Sequence, residues 1–103
     1  MKIAVSATGP TPDSEVDPRF GRAPWFIVLD TETGEYTSID NSESVEAASG
    51  AGVQAVSRVT NAGVTRLVTG QVGPKSAGGL DVAGVEVITG ASGTARDALE
   101  GNK

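Results

Sequence analysis

Apolar residues recur along this chain in five short blocks, each bounded by turn residues, and between them the spacing switches from strand-like to helix-like. Residues 2 to 7 (KIAVSA) predict a first strand. Residues 25 to 29 (WFIVL) are continuously apolar, the pattern of a strand buried on both faces. After Asp30-Thr-Glu-Thr-Gly34 the segment 35 to 39 (EYTSI) is half polar and alternating, which predicts a hairpin whose second strand lies near a sheet edge. Residues 49 to 63 carry Val53, Val56, Val59 and Ala62 at helical spacing, with Gly63 as the capping glycine.

From there the chain repeats itself. Ala62-Gly63-Val64-Thr-Arg-Leu-Val-Thr69-Gly70 is echoed by Ala83-Gly84-Val85-Glu-Val-Ile-Thr89-Gly90, a helix cap, a strand and then Thr-Gly. A further glycine follows each at one offset, giving Thr69-Gly70-Gln-Val72-Gly73 and Thr89-Gly90-Ala-Ser92-Gly93. The first turn leads into a helix with Pro74 at N1 and Ala77, Leu80 and Ala83 on its apolar side, weakened by Gly78 and Gly79. The second leads from Thr94 into a short helix with Ala95, Ala98 and Leu99. Strands feeding helices require right-handed crossovers and a parallel core, to which the hairpin adds antiparallel pairing. The expected fold is therefore one three-layer α/β domain over residues 1 to 103, with a mixed five-stranded sheet and helices on both faces.

Composition narrows the chemistry. Leu, Ile, Val and Phe together number 23 of 103 residues, just above the ~20% below which chains stay disordered. The core is thin, and 13 of the 23 are valine. No apolar run approaches the ~20 residues of a membrane helix, so a chain without a membrane span and a cytoplasmic home are expected. There is no cysteine and no histidine, which removes disulfides, thiolate nucleophiles, zinc ribbons and the usual neutral-pH general base. Net charge is −5, but residues 30 to 46 alone contribute −6 with no basic residue among them. The acidity is one local patch unsuited to nucleic acid, and the remainder of the molecule is free to attract an anion.

In a sheet of this kind ligands bind beyond the carboxyl ends of the parallel strands. Three strands end there in small, hydroxyl or glycine residues, at Ser6-Ala7-Thr8-Gly9, Thr69-Gly70 and Thr89-Gly90, and the one long loop, residues 8 to 24, leaves from the same edge. Backbone amides at a glycine turn entering a helix point outward with the positive end of the helix dipole, which suits an anion. Two such turns side by side would double the effect. Gly70-Gln-Val-Gly-Pro-Lys75-Ser76 lacks the four-residue spacing of a nucleotide phosphate loop, leaving Lys75 as an anion contact or a solvated helix-start residue. In Asp17-Pro-Arg19-Phe20-Gly21-Arg22, either arginine could neutralise a guest, Phe20 could shield it, Asp17 could orient an arginine and Gly21 could act as hinge. Asp13-x-Glu15-x-Asp17 lacks the Gly and Glu of a calcium loop.

MKIAVSATG at 1 to 9, DPRFGRA at 17 to 23, TGQVGP at 69 to 74 and GASGTAR at 90 to 96 together resemble the dinitrogenase iron–molybdenum cofactor biosynthesis family, and within it the orange-protein-like members. The resemblance implies a ribonuclease-H-like fold without nuclease activity and a role in carrying a metal–sulfur cluster, molybdenum–copper sulfide in orange proteins. Because histidine and cysteine are absent, it implies cargo held without covalent protein bonds, an anionic inorganic cluster delivered or received by protein partners. The expected contacts are Thr8, Arg19, Phe20, Gly21, Arg22, Thr69, Gly70, Val72, Gly73, Lys75, Gly90, Ser92, Gly93 and Thr94, with no catalytic residue and no direct metal ligand. A binding module for a phosphate-bearing metabolite or nucleotide, and an acidic protein–protein adaptor, are the alternatives that the same residues leave open.

Overall fold

The computed structural model describes residues 1–46 and 50–103. Its order is β1 (Lys2–Ala7), β2 (Trp25–Asp30), β3 (Tyr36–Asp40), α1 (Ser42–Glu46), α2 (Ala51–Asn61), β4 (Val64–Val68), α3 (Pro74–Val82), β5 (Glu86–Ile88) and α4 (Ala95–Glu100). The strands form one sheet in the order β3-β2-β1-β4-β5. β1 pairs antiparallel with β2 and parallel with β4, β5 extends the parallel half, and β3 closes the antiparallel edge. This is the mixed five-stranded sheet expected from the sequence, with helices on two faces.

Alternation along the central strands decides what each face holds. Ile3, Val5, Ala7, Ile27, Leu29 and Val68 pack against Val16 and the α4 residues Ala95, Ala98 and Leu99. Ala4, Phe26, Val28, Val64 and Leu67 pack against Phe20, Ala55, Val59, Leu80 and Val85. β2 is buried from Phe26 to Leu29, as a strand with helices on both sides must be.

Three expectations need correction. The helix predicted over 49–63 begins at a residue outside the described ones; of the predicted apolar series Val59 is buried and Val56 and Ala62 pack partly buried against the core, while Ala51 and Ala55 are buried in place of Val53. Val53 is 60% exposed. Small residues take the inner face because α2 lies close against α3: a Cβ on Gly52 would collide with Ser76 Oγ, and one on Gly79 would stand 3.4 Å from Val56. α1 was not anticipated, since SESVE has no apolar stripe. It follows a turn in which the Ser42 amide donates to the Asp40 carboxylate (2.8 Å), holding that carboxyl below its ordinary range through its hydrogen bonds with Ser42. The acidic patch also gains cations from elsewhere: Arg58 of α2 pairs with Glu43 at 3.1 Å, and the N-terminal amine approaches Glu32 at 3.9 Å.

The long loop is an ordered strap across the carboxyl ends of the strands. The Val16 amide donates to the Gly93 carbonyl (2.8 Å), Asp17 N–H to Ser6 (2.9 Å), and Gln71 N–H to Pro18 (2.8 Å). Among the described residues no helix is long and apolar enough to cross a membrane.

Candidate functional site

The strap and the two repeated turns meet at one edge of the sheet. Gly70 follows β4, Gly90 follows β5, and the Gly90 amide donates to the Gly70 carbonyl (2.9 Å), so the turns are immediate neighbours. Their amides are only partly free. Gln71 N–H is spent on Pro18 and Ala91 N–H on Thr69 (3.1 Å), whereas Val72, Gly73, Ser92 and Gly93 have no backbone acceptor among the described residues. The doubled nest expected from the repeat is therefore a reduced one.

A depression of about 270 Å³ lies between the strap and the first turn, lined by Arg19, Phe20, Gly21, Arg22, Gln71, Val72 and Gly73. Arg19 is fixed by Asp17, a carboxylate only 3% exposed. One oxygen accepts from the Arg19 amide (2.9 Å) and from Nε (3.2 Å); the other accepts from NH2 (3.2 Å). This two-point contact raises the Arg19 pKa further, chiefly through the hydrogen bond, while leaving most of the side chain in water. Asp17 thus orients an arginine as the sequence suggested. Arg22, which also lines the depression, sends NH1 to the Ser44 and Val45 carbonyls of α1 (3.3 and 3.1 Å).

A second depression, of about 450 Å³, lies on the other side of Pro18 and is lined by Glu15, Val16, Pro18 and Ala91 through Thr94. Gly90, Ser92, Gly93 and Thr94 belong to this side, where the only charged lining residue is acidic. Thr94 Oγ1 is occupied as the α4 cap, accepting from Asp97 N–H (3.2 Å). Lys75 stands exposed on the first turn of α3, and Thr8 lies at the strap's start with its amide donating to Glu15 (2.9 Å).

Several candidate residues have other work. Phe20 is 2% exposed and packs against Phe26 in a tilted pair with ring centroids 5.4 Å apart, so its ring belongs to the core and cannot cover a guest. Gly21 is no hinge: a Cβ there would lie 3.1 Å from Gly52, and the glycine lets strap and α2 touch. The Thr69 hydroxyl bonds to Ser6 Oγ (2.7 Å), which in turn donates to the Asp17 carbonyl (2.6 Å), a buried chain tying β4, β1 and the strap together. Gly70 has Pro18 pressed upon it, with an added Cβ only 2.5 Å from Pro18 Cα. Gln71 and Pro18, which place the strap on the turn, carried no chemical signal in the sequence.

Asp13 pairs with Arg96 (3.3 Å) and Asp17 with Arg19, and no group of three potential metal-ligating side chains occurs among the described residues. Beside Arg19 the rim presents hydrogen-bond donors and a fixed positive charge.

Known proteins resemble this chain over most of its length. The apo form of the orange protein from Desulfovibrio gigas is 42% identical and superposes with a TM-score of 0.93, over 96% of this chain and 83% of that one. A NifB-like protein from Thermotoga (TM1290) is 32% identical with a TM-score of 0.84, over 96% and 84% of the two chains. The uncharacterized protein MJ0580 of Methanocaldococcus jannaschii is 30% identical over 92 residues, 84% of this chain and 72% of its own length. The family described as dinitrogenase iron-molybdenum cofactor matches residues 1–102, and the chain belongs to that family.

Proposed function

We propose that this protein is a non-catalytic carrier or scaffold for an anionic metal–sulfide cluster, of the molybdenum–copper sulfide class, held without covalent bonds at the strap side of the rim. The observation that carries the reading is the convergence of Arg19, Arg22 and the 71–73 turn on one depression, with Arg19 already held by a buried carboxylate. A sulfide-coated anion needs donors, not ligands, and the chain has neither histidine nor cysteine to offer as ligands. Val72 and Gly73 amides and the two guanidinium groups supply those donors; Lys75 adds charge nearby. The similarity to the orange protein supports the same class of cargo.

Three or four charge-assisted contacts at roughly 1.5–3 kcal/mol each give about 5–12 kcal/mol gross, from which association removes ~4 or more. The net is a modest affinity, suited to cargo that protein partners deliver and collect. Titrating the protein with thiomolybdate and cuprous ion should develop a visible charge-transfer spectrum distinct from that of the protein-free mixture. Identical spectra with and without protein would overturn the reading.

A further inference from the structure

Behind the Gly21–Gly52 contact the molecule has another depression, of about 500 Å³, lined by Gly50, Gly52, Val53, Gly73, Pro74, Lys75 and Ser76. Topology creates it. α2 leads into β4 and α3 into β5, so both helices run back against the parallel strands and both begin at the strand-end edge. Each starts on a glycine, Gly50 and Gly73, with no side-chain cap. The first helical amides to find backbone acceptors are Gln54, on Gly50 (3.0 Å), and Ala77, on Gly73 (2.9 Å). The amides of Gly52, Val53, Lys75 and Ser76 precede them and lack intrahelical partners.

Ser76 is the independent sign of a ligand. The residue is 6% exposed, yet its hydroxyl has no partner among the described residues. No fully buried side-chain oxygen goes unpaired among the described residues, so this unbonded hydroxyl keeps some contact with solvent, and Ser76 lines the depression. A Cβ on Gly52 would collide with this hydroxyl, and the glycine keeps the space before it clear. A bound acceptor would replace this hydroxyl's contact with solvent by a fixed hydrogen bond.

We propose that this depression is a second anion site, adjoining the rim beside Arg19 at Gly73, and that it takes the phosphate group of a small phosphomonoester. A tetrahedral oxyanion matches a donor set of two helix N-termini, one hydroxyl and the Lys75 ammonium. The volume exceeds what a phosphate fills, and the exposed Val53 and Pro74 offer an apolar wall to the organic part of the ester.

Inorganic phosphate and phenyl phosphate, titrated into the full chain and followed by amide chemical shifts, test the assignment. Both should give saturable shifts centred on Gly52, Val53, Lys75 and Ser76, with phenyl phosphate binding at least threefold tighter. Ser76→Ala, which removes only the hydroxyl, should weaken both at least fivefold, and the exposed Lys75→Gln at least threefold. The Arg19→Ala, Arg22→Ala double variant should stay within twofold of the parent, separating this site from the cluster rim. Shifts that never saturate, or that sodium chloride of equal ionic strength reproduces, would overturn the proposal. So would shifts centred on Arg19 and Val72, or an undiminished affinity in Ser76→Ala.

Discussion

The turns at 69–73 and 89–93 share a sequence pattern and differ in almost everything around them. The first lies under the strap, with Pro18 pressed on Gly70 and two arginines on its outer wall. The second is also held by the strap, whose Val16 amide donates to the Gly93 carbonyl, but it faces Glu15 and ends in a short helix whose cap is already satisfied. Even the glycines serve different ends. Gly70 is required because Pro18 leaves no room for a Cβ, whereas Gly90 and Gly93 have space but adopt φ of +81° and +86°. A repeated motif thus fixes the path of the backbone, while the chain lying across it decides the charge presented to a ligand.

The largest effect should come from the close-packed turn. Gly70→Ala sets a Cβ 2.5–2.8 Å from Pro18 backbone and side-chain atoms that cannot both yield, and should cost about 3 kcal/mol of stability. Thermal denaturation should register this as a fall of more than about 10 °C, and a fall under a few degrees would mean that the strap is looser than described. Next, Arg19→Ala with Arg22→Ala should weaken cluster retention by about 2 kcal/mol, over tenfold, and flatten its salt dependence. Unchanged retention after gel filtration would move the cargo to the other turn.

At the second turn, Gly90→Ala should cost about 1 kcal/mol through its positive φ alone. A loss matching that of Gly70→Ala would erase the distinction between the turns. The smallest effect contrasts the rim with the acidic hairpin. Asp40 and Glu100 are held below the ordinary carboxylate range, Asp40 by hydrogen bonds from Ser42 and Glu100 chiefly by its hydrogen bond with Lys103. Groups lowered in the folded state add stability that is complete above their unfolded values near 4 and is lost as pH falls through the folded ones. The denaturant midpoint should therefore decline below about pH 4, less so in Asp40→Asn, while Arg19 keeps its charge. A flat profile between pH 5 and pH 3 would contradict this.

Much of this architecture could be read from the residues, because strand burial and helix caps leave local marks. WFIVL announces a two-faced strand, EYTSI an edge, and the repeated Ala-Gly-Val to Thr-Gly segments a pair of βα units. The edge where the strap meets the two turns was also legible, since strand direction follows from the crossovers. What failed were judgments about individual side chains. Phe20 sits in a loop beside two arginines, and nothing local reveals that its ring folds back onto Phe26. Thr69 and Ser6 look like ligand hydroxyls until the strap brings the Asp17 carbonyl to them. Val53 fits the helical period, but the close approach of α3 favours Ala51 and Ala55 on the inside. Each miss depends on a partner far away in sequence, which spacing alone does not encode. α1 escaped for the opposite reason, being five residues held by a turn and by Arg58 rather than by an apolar face.

The buried chain from Thr69 through Ser6 to the Asp17 carbonyl bears on how anything could be exchanged at this surface. Because that chain staples the strap to two strands, the ledge beside Arg19 has no flap to swing shut and no chamber in which to seclude its occupant. On the proposed carrier reading, whatever rests there would stay open to solvent and oxidant, within direct reach of a donor or an acceptor. Protection in transit would then fall to a companion protein covering the exposed side.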